Sequence, residues 1–168
     1  PENYKRYQKE YPEVHPMFMF MTDGYNLRNM EINAVLGSSQ IKNLSKNNEI
    51  RKSNFSRYIK IVKKYPNLFH STYKEEGNSS FCFPFICKTF EVKNQLEKYL
   101  RNNGVETRPL CSGNLLRQPF LSEYEPFKEF PKVDYLHYHG FFIGNNHMVT
   151  DDEIEKLEGI LSDYFRVL

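Results

Sequence analysis

A nearly continuous apolar run, SFCFPFICK at residues 80–88, is the strongest strand signal in this sequence. Pro84 within the run lacks a backbone N–H, which favours a position at the edge of a sheet or in a bulge. Thr89 follows as a candidate helix N-cap. A helix is then expected over residues 90–103, because its apolar side chains share one face and Gly104 can supply the left-handed stop. The segment therefore predicts a strand joined directly to a helix.

Further helices and strands are predicted on either side of this segment. Helices are expected over residues 30–42 and 47–65, and the second has an apolar stripe with helical spacing that stops before a proline. Short strands are expected over 105–109 and 141–143, and a capping box, TDDE at 150–153, opens a last helix. This order, without any internal repeat, predicts an α+β fold in which helices back a small sheet.

Two regions lack a clear periodic pattern. Residues 1–23 are interpreted as a lead-in segment, because Pro12 and Pro16 break any helix begun earlier in the chain. Residues 110–131 are interpreted as a loop with a short helical turn at most. One core is usual for a chain of 168 residues. The chain is therefore expected to comprise the lead-in segment and one domain over 24–168.

The composition argues against several classes of protein. The 23 basic and 21 acidic residues are interleaved and give a net charge of +2, so nothing favours a nucleic-acid partner. Cys82, Cys87 and Cys111 lack Cys-x-x-Cys spacing and are typical of reduced thiols rather than of a disulfide framework. No run approaches the roughly 20 apolar residues that span a bilayer. We expect a cytoplasmic protein that uses neither membrane nor nucleic acid.

A polar turn, GYNLR at residues 24–28, leads into the first of the predicted helices. Gly24 permits backbone conformations closed to other residues, Asn26 offers an amide donor, and Arg28 adds a charged fork near a helix N-terminus. These groups suit a phosphate-sized anion. The asparagines Asn26 and Asn29 can equally serve as turn and cap residues, with Arg28 in solvent. The spacing alone leaves both interpretations open.

A second polar group lies at the end of the strand predicted over 105–109 and in the loop after it. Arg108 can clamp a diphosphate or a carboxylate with two hydrogen bonds, and Asn114 with Gln118 can bind hydroxyl groups or base edges. Functional residues concentrate on loops at strand ends. The alternative is a structural arginine that donates to nearby carbonyl groups.

Three histidines, His137, His139 and His147, form a third group near the C-terminus. A His-x-His pair on a strand with a third histidine can bind zinc, but no carboxylate or thiolate is spaced as a clear fourth ligand. We therefore predict no metal site.

The stretches at residues 24–41, 104–109 and 113–119 resemble the C-terminal part of the DegT/DnrJ/EryC1/StrS family of sugar-nucleotide aminotransferases, and the resemblance covers about residues 15–168. It implies the small C-terminal domain of the fold type I pyridoxal phosphate (PLP) enzymes, with a mainly antiparallel sheet. In this family the cofactor lysine lies upstream of the Gly-Tyr-Asn turn, before which only 23 residues are present here. The chain is therefore expected to be part of an enzyme, inactive alone, with no catalytic residue of its own.

The resemblance also implies roles for particular residues. Asn26 is expected to bind the PLP phosphate of the neighbouring subunit in a homodimer, and the small residues at 34–38 are a candidate subunit contact. The residues expected to contact a nucleotide-sugar substrate are Arg28, Arg108, Asn114 and Gln118.

The reaction implied by the resemblance is PLP-dependent transamination of an NDP-4-keto-deoxysugar in lipopolysaccharide or surface-polysaccharide biosynthesis. A few members of the family are instead 3-dehydrases of 4-keto sugars, with the same small domain. A stand-alone nucleotide-sugar-binding or assembly module is a further alternative.

Overall fold

The chain divides into two compact units in a computed structural model. The residues that the structure describes are 2–10, 30–110, 113–114 and 129–166. The first unit, Pro1–Lys42, contains the helices α1 (Glu2–Glu10) and α2 (Glu31–Gln40). A short 3₁₀ helix at Ile41–Asn43 follows them, and the second unit is Asn43–Leu168.

The second unit contains helices on a small sheet. Its described elements are α3 (Leu44–Lys63), β1 (Cys82–Ile86), α4 (Phe90–Asn102), β2 (Arg108–Pro109), α5 (Pro131–His139), β3 (Gly140–Gly144) and α6 (Asp151–Arg166). The strands pair in the order β1-β3-β2, and both pairings are antiparallel. The predicted α+β fold with a small antiparallel sheet is therefore confirmed. Among the described helices, none combines the length and the apolar character that a membrane crossing needs.

The register of β1 on β3 gives the sheet one buried face. Phe83 lies opposite Ile143 and Phe85 lies opposite Phe141, and all four side chains are at most 4% exposed. The rings of Phe85 and Phe141 stack with their centroids 5.1 Å apart. Helices α3, α4 and α6 supply most of the remaining buried apolar residues of this core, and Phe69 and Cys87 supply the others. The alternate strand positions, such as Pro84, form the opposite side, which we call the open face.

Local signals in the sequence set the ends of two helices. The Thr89 hydroxyl accepts a hydrogen bond from the Val92 N–H at 3.2 Å, as expected of an N-cap of α4. Gly104, beyond the end of α4, has a φ of +80°. The capping box before α6 is also present, because the Thr150 N–H donates to Glu153 Oε2 at 2.8 Å and the Glu153 N–H donates to Thr150 Oγ1 at 3.3 Å.

Pro84 lies in an edge strand, as its missing N–H requires. The Tyr73 hydroxyl donates to the Pro84 carbonyl at 2.9 Å. Just beyond the end of β1, Cys87 forms an isolated antiparallel bridge with Phe69. Burial raises the pKa of the Cys87 thiol to about 12, which keeps it protonated and unreactive at neutral pH.

Several boundaries differ from those predicted. Helix α3 begins at Leu44 rather than at residue 47, and α1 forms where no clear pattern was found. The N-cap of α2 is Met30 without a side-chain cap bond, whereas Asn29, the predicted cap, lies outside the described residues. Helix α5 was not predicted at all, because it has no buried residue and so lacks a clear apolar stripe.

Helix α2 has no buried residue. A Cβ atom added at Gly37 would meet nothing within 4 Å. No other part of the chain that the structure describes therefore packs against this glycine. A contact of the small residues at 34–38 with a second subunit stays a prediction.

We expect Phe85→Ala to lower the free energy of unfolding by about 3–5 kcal/mol, because truncation of a ring that is 1% exposed leaves a cavity in the core. Urea denaturation followed by circular dichroism measures this. Phe81→Ala is the control, since the same ring is 66% exposed there, and its effect should be about 1 kcal/mol or less. Equal losses in the two variants would contradict the assignment of the buried face.

Candidate functional site

The open face of the sheet carries Arg108. This residue pairs with Phe142 across β2 and β3, and Phe142 pairs with Pro84 on the other side. Directly opposed residues present their side chains on the same face of a sheet. The arginine is therefore directed away from the core helices, and its side chain is 67% exposed. It is accessible to a ligand.

The guanidinium of Arg108 is held by a neighbour on its own strand segment. Its Nε and Nη2 atoms lie 2.9 and 2.8 Å from Glu106 Oε1. The Glu106 side chain is 75% exposed, so this pair is weak and is screened by salt. An anionic ligand can replace the carboxylate without disturbing a buried group.

Thr107 anchors the Arg108 segment from the opposite side of the sheet. Successive side chains on a strand alternate between faces, and Thr107 is only 7% exposed. Its hydroxyl donates to Glu97 Oε1 at 3.1 Å and accepts from Arg101 Nε at 2.6 Å. The Glu97 carboxylate also accepts from Arg101 Nη2 at 2.8 Å and from Lys93 Nζ at 2.6 Å. This network ties the Arg108 segment to α4.

This network was not predicted from the sequence. The sequence feature that points to the network is the spacing of Lys93, Glu97 and Arg101. These residues lie four apart on successive turns of α4 and so share one face. A row of charged side chains on one helix face usually lies in solvent. Here Glu97 is only 7% exposed, and a buried carboxylate needs donors around it. Thr107, directly before β2, adds a third donor to those of Lys93 and Arg101.

A tight turn follows β2 and needs glycine. The Gly113 N–H donates to the Leu110 carbonyl at 2.6 Å. Gly113 has a φ of +65°, and a Cβ atom at this position would collide with the His137 imidazole. A Cβ at Gly140 would likewise collide with the Leu110 side chain. Both glycines therefore allow the turn to pack closely on α5 and the start of β3.

Asn114 attaches this turn to α5. Its backbone N–H donates to His137 Nδ1 at 3.1 Å, and its side-chain Nδ2 donates to Asp134 Oδ1 at 2.8 Å. The residue is 6% exposed. Since His137 accepts at Nδ1, a neutral ring carries its proton on Nε2. Asn114 thus has an anchoring role in this structure, and its contact with substrate stays a prediction.

The histidines do not form the strand arrangement considered for zinc. His137 and His139 lie on α5, and residues two apart on a helix do not face each other. The Nδ1 atom of His139 donates to the Tyr135 carbonyl at 2.9 Å, and the two rings stack. Within the described residues, no group of three or more His, Cys, Asp or Glu side chains could hold a metal ion.

The remaining predicted site residues, Asn26, Arg28 and Gln118, lie outside the described residues, as does Cys111. The described part of the site therefore comprises Arg108 with Glu106, and the anchored turn that contains Asn114.

We expect Thr107→Val to lower the free energy of unfolding by about 1–3 kcal/mol, because the Glu97 carboxylate loses one donor and Arg101 Nε loses its acceptor. Urea denaturation measures the loss. Thr72→Val makes the same change at an exposed position and should change stability by about 0.5 kcal/mol or less. A Thr107 variant as stable as this control would show that the network does not hold β2.

The turn glycine gives a second test. Gly77 and Gly113 have φ values of +70° and +65°, but a Cβ at Gly77 would meet nothing within 4 Å. We expect Gly77→Ala to cost about 1–2 kcal/mol from backbone conformation. Gly113→Ala should cost about 1–3 kcal/mol more, because it also displaces His137. Thermal unfolding compares the two, and equal costs would refute the close approach of His137.

Comparison with known proteins adds to this geometry. The sequence pattern of the DegT/DnrJ/EryC1/StrS aminotransferase family matches residues 2–161. The GDP-4-keto-6-deoxy-D-mannose 3-dehydratase of Escherichia coli O55:H7 is 33% identical over 150 residues, which cover 86% of this chain and 38% of that protein. The lipopolysaccharide biosynthesis protein RfbH of Salmonella typhimurium is 29% identical over 150 residues, which cover 84% and 34%. The chain thus spans less than two fifths of these relatives.

A solved structure confirms the fold expected from the sequence. The structure of the E. coli GDP-4-keto-6-deoxy-D-mannose-3-dehydratase with bound hydrated PLP matches with a TM-score of 0.72 and 30% identity. The match covers 87% of this chain and 39% of that one.

Proposed function

Because the chain belongs to the DegT/DnrJ/EryC1/StrS aminotransferase family, we propose that it is the C-terminal part of a PLP-dependent enzyme that acts on a nucleotide-linked 4-keto-6-deoxysugar. The similarity to the E. coli 3-dehydratase, which extends over most of this chain, carries the proposal. It favours 3-dehydration as the reaction and a GDP-linked sugar as the substrate. The Salmonella relative named for lipopolysaccharide biosynthesis supports a place in that pathway.

Transamination is the second candidate, because the family as a whole is one of aminotransferases. The two reactions differ in their products. Dehydration removes the oxygen at C3 of the sugar, whereas transamination replaces the keto oxygen at C4 by an amino group. Product analysis therefore separates them.

The described residues suit noncovalent contacts with PLP rather than a covalent bond to it. Every described lysine is exposed except Lys52 and Lys93, and these two form ion pairs with Glu49 and Glu97. A lysine that forms a Schiff base must be neutral, which requires desolvation or a cationic neighbour. Bound PLP would supply the electron sink for bond breaking next to a carbonyl carbon. We propose that Asn26 donates to its phosphate and that another part of the enzyme supplies the covalent contact.

Arg108 is the described residue best suited to bind the diphosphate of a nucleotide sugar. Its guanidinium is exposed on the open face, and within the described ranges its one partner is the exposed Glu106 carboxylate. The Thr107 network keeps the strand segment in place while the carboxylate is exchanged for a ligand. Arg28, Asn114 and Gln118 are proposed to complete the substrate contacts, in a homodimer.

The test uses a chimeric enzyme in which this chain replaces the matched C-terminal part of the E. coli O55:H7 relative. We expect the chimera with PLP, an amino donor and GDP-4-keto-6-deoxymannose to release a 3-deoxy sugar, detected by mass spectrometry. A 4-amino sugar would instead establish transamination. A folded, PLP-loaded chimera that forms neither product would refute both candidate functions.

Within an active chimera, Arg108→Ala should lower kcat/KM by about 10- to 100-fold, because charge-assisted hydrogen bonds to the diphosphate are lost. Arg166→Ala is the control, since its side chain is 77% exposed at the end of α6 and should leave kcat/KM unchanged. An Arg108 variant with the activity of this control would remove the residue from the substrate site.

A further inference from the structure

A cavity of about 360 Å³ lies on the helix-covered side of the sheet, between the end of α4, the end of β3 and α6. Small-molecule sites usually enclose about 300–1,000 Å³. The apolar residues that line it are Val105, Ile143, Val149, Leu157 and Ile160. Arg108, in contrast, is directed to the open face. The cavity therefore lies on the other side of the sheet from Arg108, and Glu106 borders both.

Tyr58 contributes a hydroxyl group to this cavity. The residue is 3% exposed, and its ring packs on Phe83 with the centroids 5.2 Å apart. No hydrogen bond to its hydroxyl is found among the described residues, yet the oxygen is not fully enclosed. The hydroxyl thus remains accessible from the cavity that Tyr58 lines. A tyrosine hydroxyl that is accessible in this way can donate to an acceptor on a molecule bound in the cavity.

The protonation state of Tyr58 agrees with a donor role. Burial and the nearby Glu153 carboxylate raise the pKa of Tyr58 to about 12. The hydroxyl is therefore neutral and carries its proton across the physiological pH range.

The lining of the cavity also contains the charged residues Glu106, Glu153 and Lys156, together with Asn103. Glu153 Oε2 accepts from the Thr150 N–H, Glu106 accepts from Arg108, and Lys156 is exposed. Because the lining carries charges of both signs, and both carboxylates already accept hydrogen bonds, neither an anionic nor a cationic ligand is favoured there.

We propose that this cavity binds a small uncharged molecule with an apolar body and one hydrogen-bond acceptor, which takes the proton of the Tyr58 hydroxyl. The apolar body of the ligand packs on the five aliphatic side chains of the wall. The acceptor group sets the orientation of the ligand. This inference does not depend on the reaction proposed above, since it uses none of the residues assigned to the substrate.

Three probes of nearly equal size and shape test the proposal on the 168-residue chain. Ethylbenzene has no polar group, acetophenone has one carbonyl acceptor, and α-methylbenzylamine carries a positive charge. Binding is followed by chemical-shift titration of the backbone amides. We expect acetophenone to bind about five-fold more tightly than ethylbenzene, as one net hydrogen bond allows. The largest shifts should fall at Gly104, Val105 and Gly144, which line the cavity.

Two conservative variants identify the hydroxyl responsible. Tyr58→Phe should abolish the preference for acetophenone while leaving the affinity for ethylbenzene unchanged. Tyr164→Phe is the control, because it removes a tyrosine hydroxyl that likewise has no partner among the described residues but does not line the cavity. It should retain the full five-fold preference. Val149→Phe places a larger side chain in the cavity from a half-buried position. It should lower the binding affinity of all three probes while the chain keeps its native circular dichroism spectrum.

Other outcomes would overturn the proposal. Equal binding of ethylbenzene and acetophenone by the unmodified chain would show that the hydroxyl is not used. Tightest binding of the amine would make the cavity a cation site governed by Glu106 and Glu153. Absence of binding by all three probes, or shifts confined to residues outside the cavity, would show that it takes no ligand of this class.

Discussion

The stacking of Phe85 on Phe141 in the buried face of the sheet is the contact on which the rest of the second unit depends. It fixes the register of β1 against β3, because a shift by one residue would move every buried ring to the other side. The same register places Phe142 on the open face, and Arg108 pairs with Phe142. The position of Arg108 on the open face is therefore a consequence of the packing of Phe85 and Phe141 on the buried face.

Features that depend on a few neighbouring residues could be predicted from the sequence. The Thr89 cap, the stop at Gly104 and the capping box at 150–153 all involve groups within four residues of one another. Helix α5 could not be found in this way, because its stability comes from contacts with α4 and β3 rather than from an apolar stripe of its own.

The candidate site could be predicted only in part, for the same physical reason. Arg108 was expected after a strand, and it lies exposed on the open face. The hydrogen bond from Thr107 to Glu97, which supports the Arg108 segment, joins two residues that are ten apart in the sequence. A periodic pattern within one helix does not reveal such a contact. The anchoring of Asn114 by Asp134 joins residues twenty apart, and only the packing of α5 against the turn brings them together.

The edges of the sheet have a consequence for a chain that spans only part of its relatives' length. An unpaired strand edge invites pairing with another molecule and so promotes aggregation. Here β2 is two residues long, and the outer edge of β1 contains Pro84, which has no N–H to donate. The Phe69–Cys87 bridge occupies the same strand just beyond. Self-association of the isolated chain through strand pairing is therefore disfavoured. The exposed apolar residues of α2, such as Val35, form the surface that is more prone to self-association.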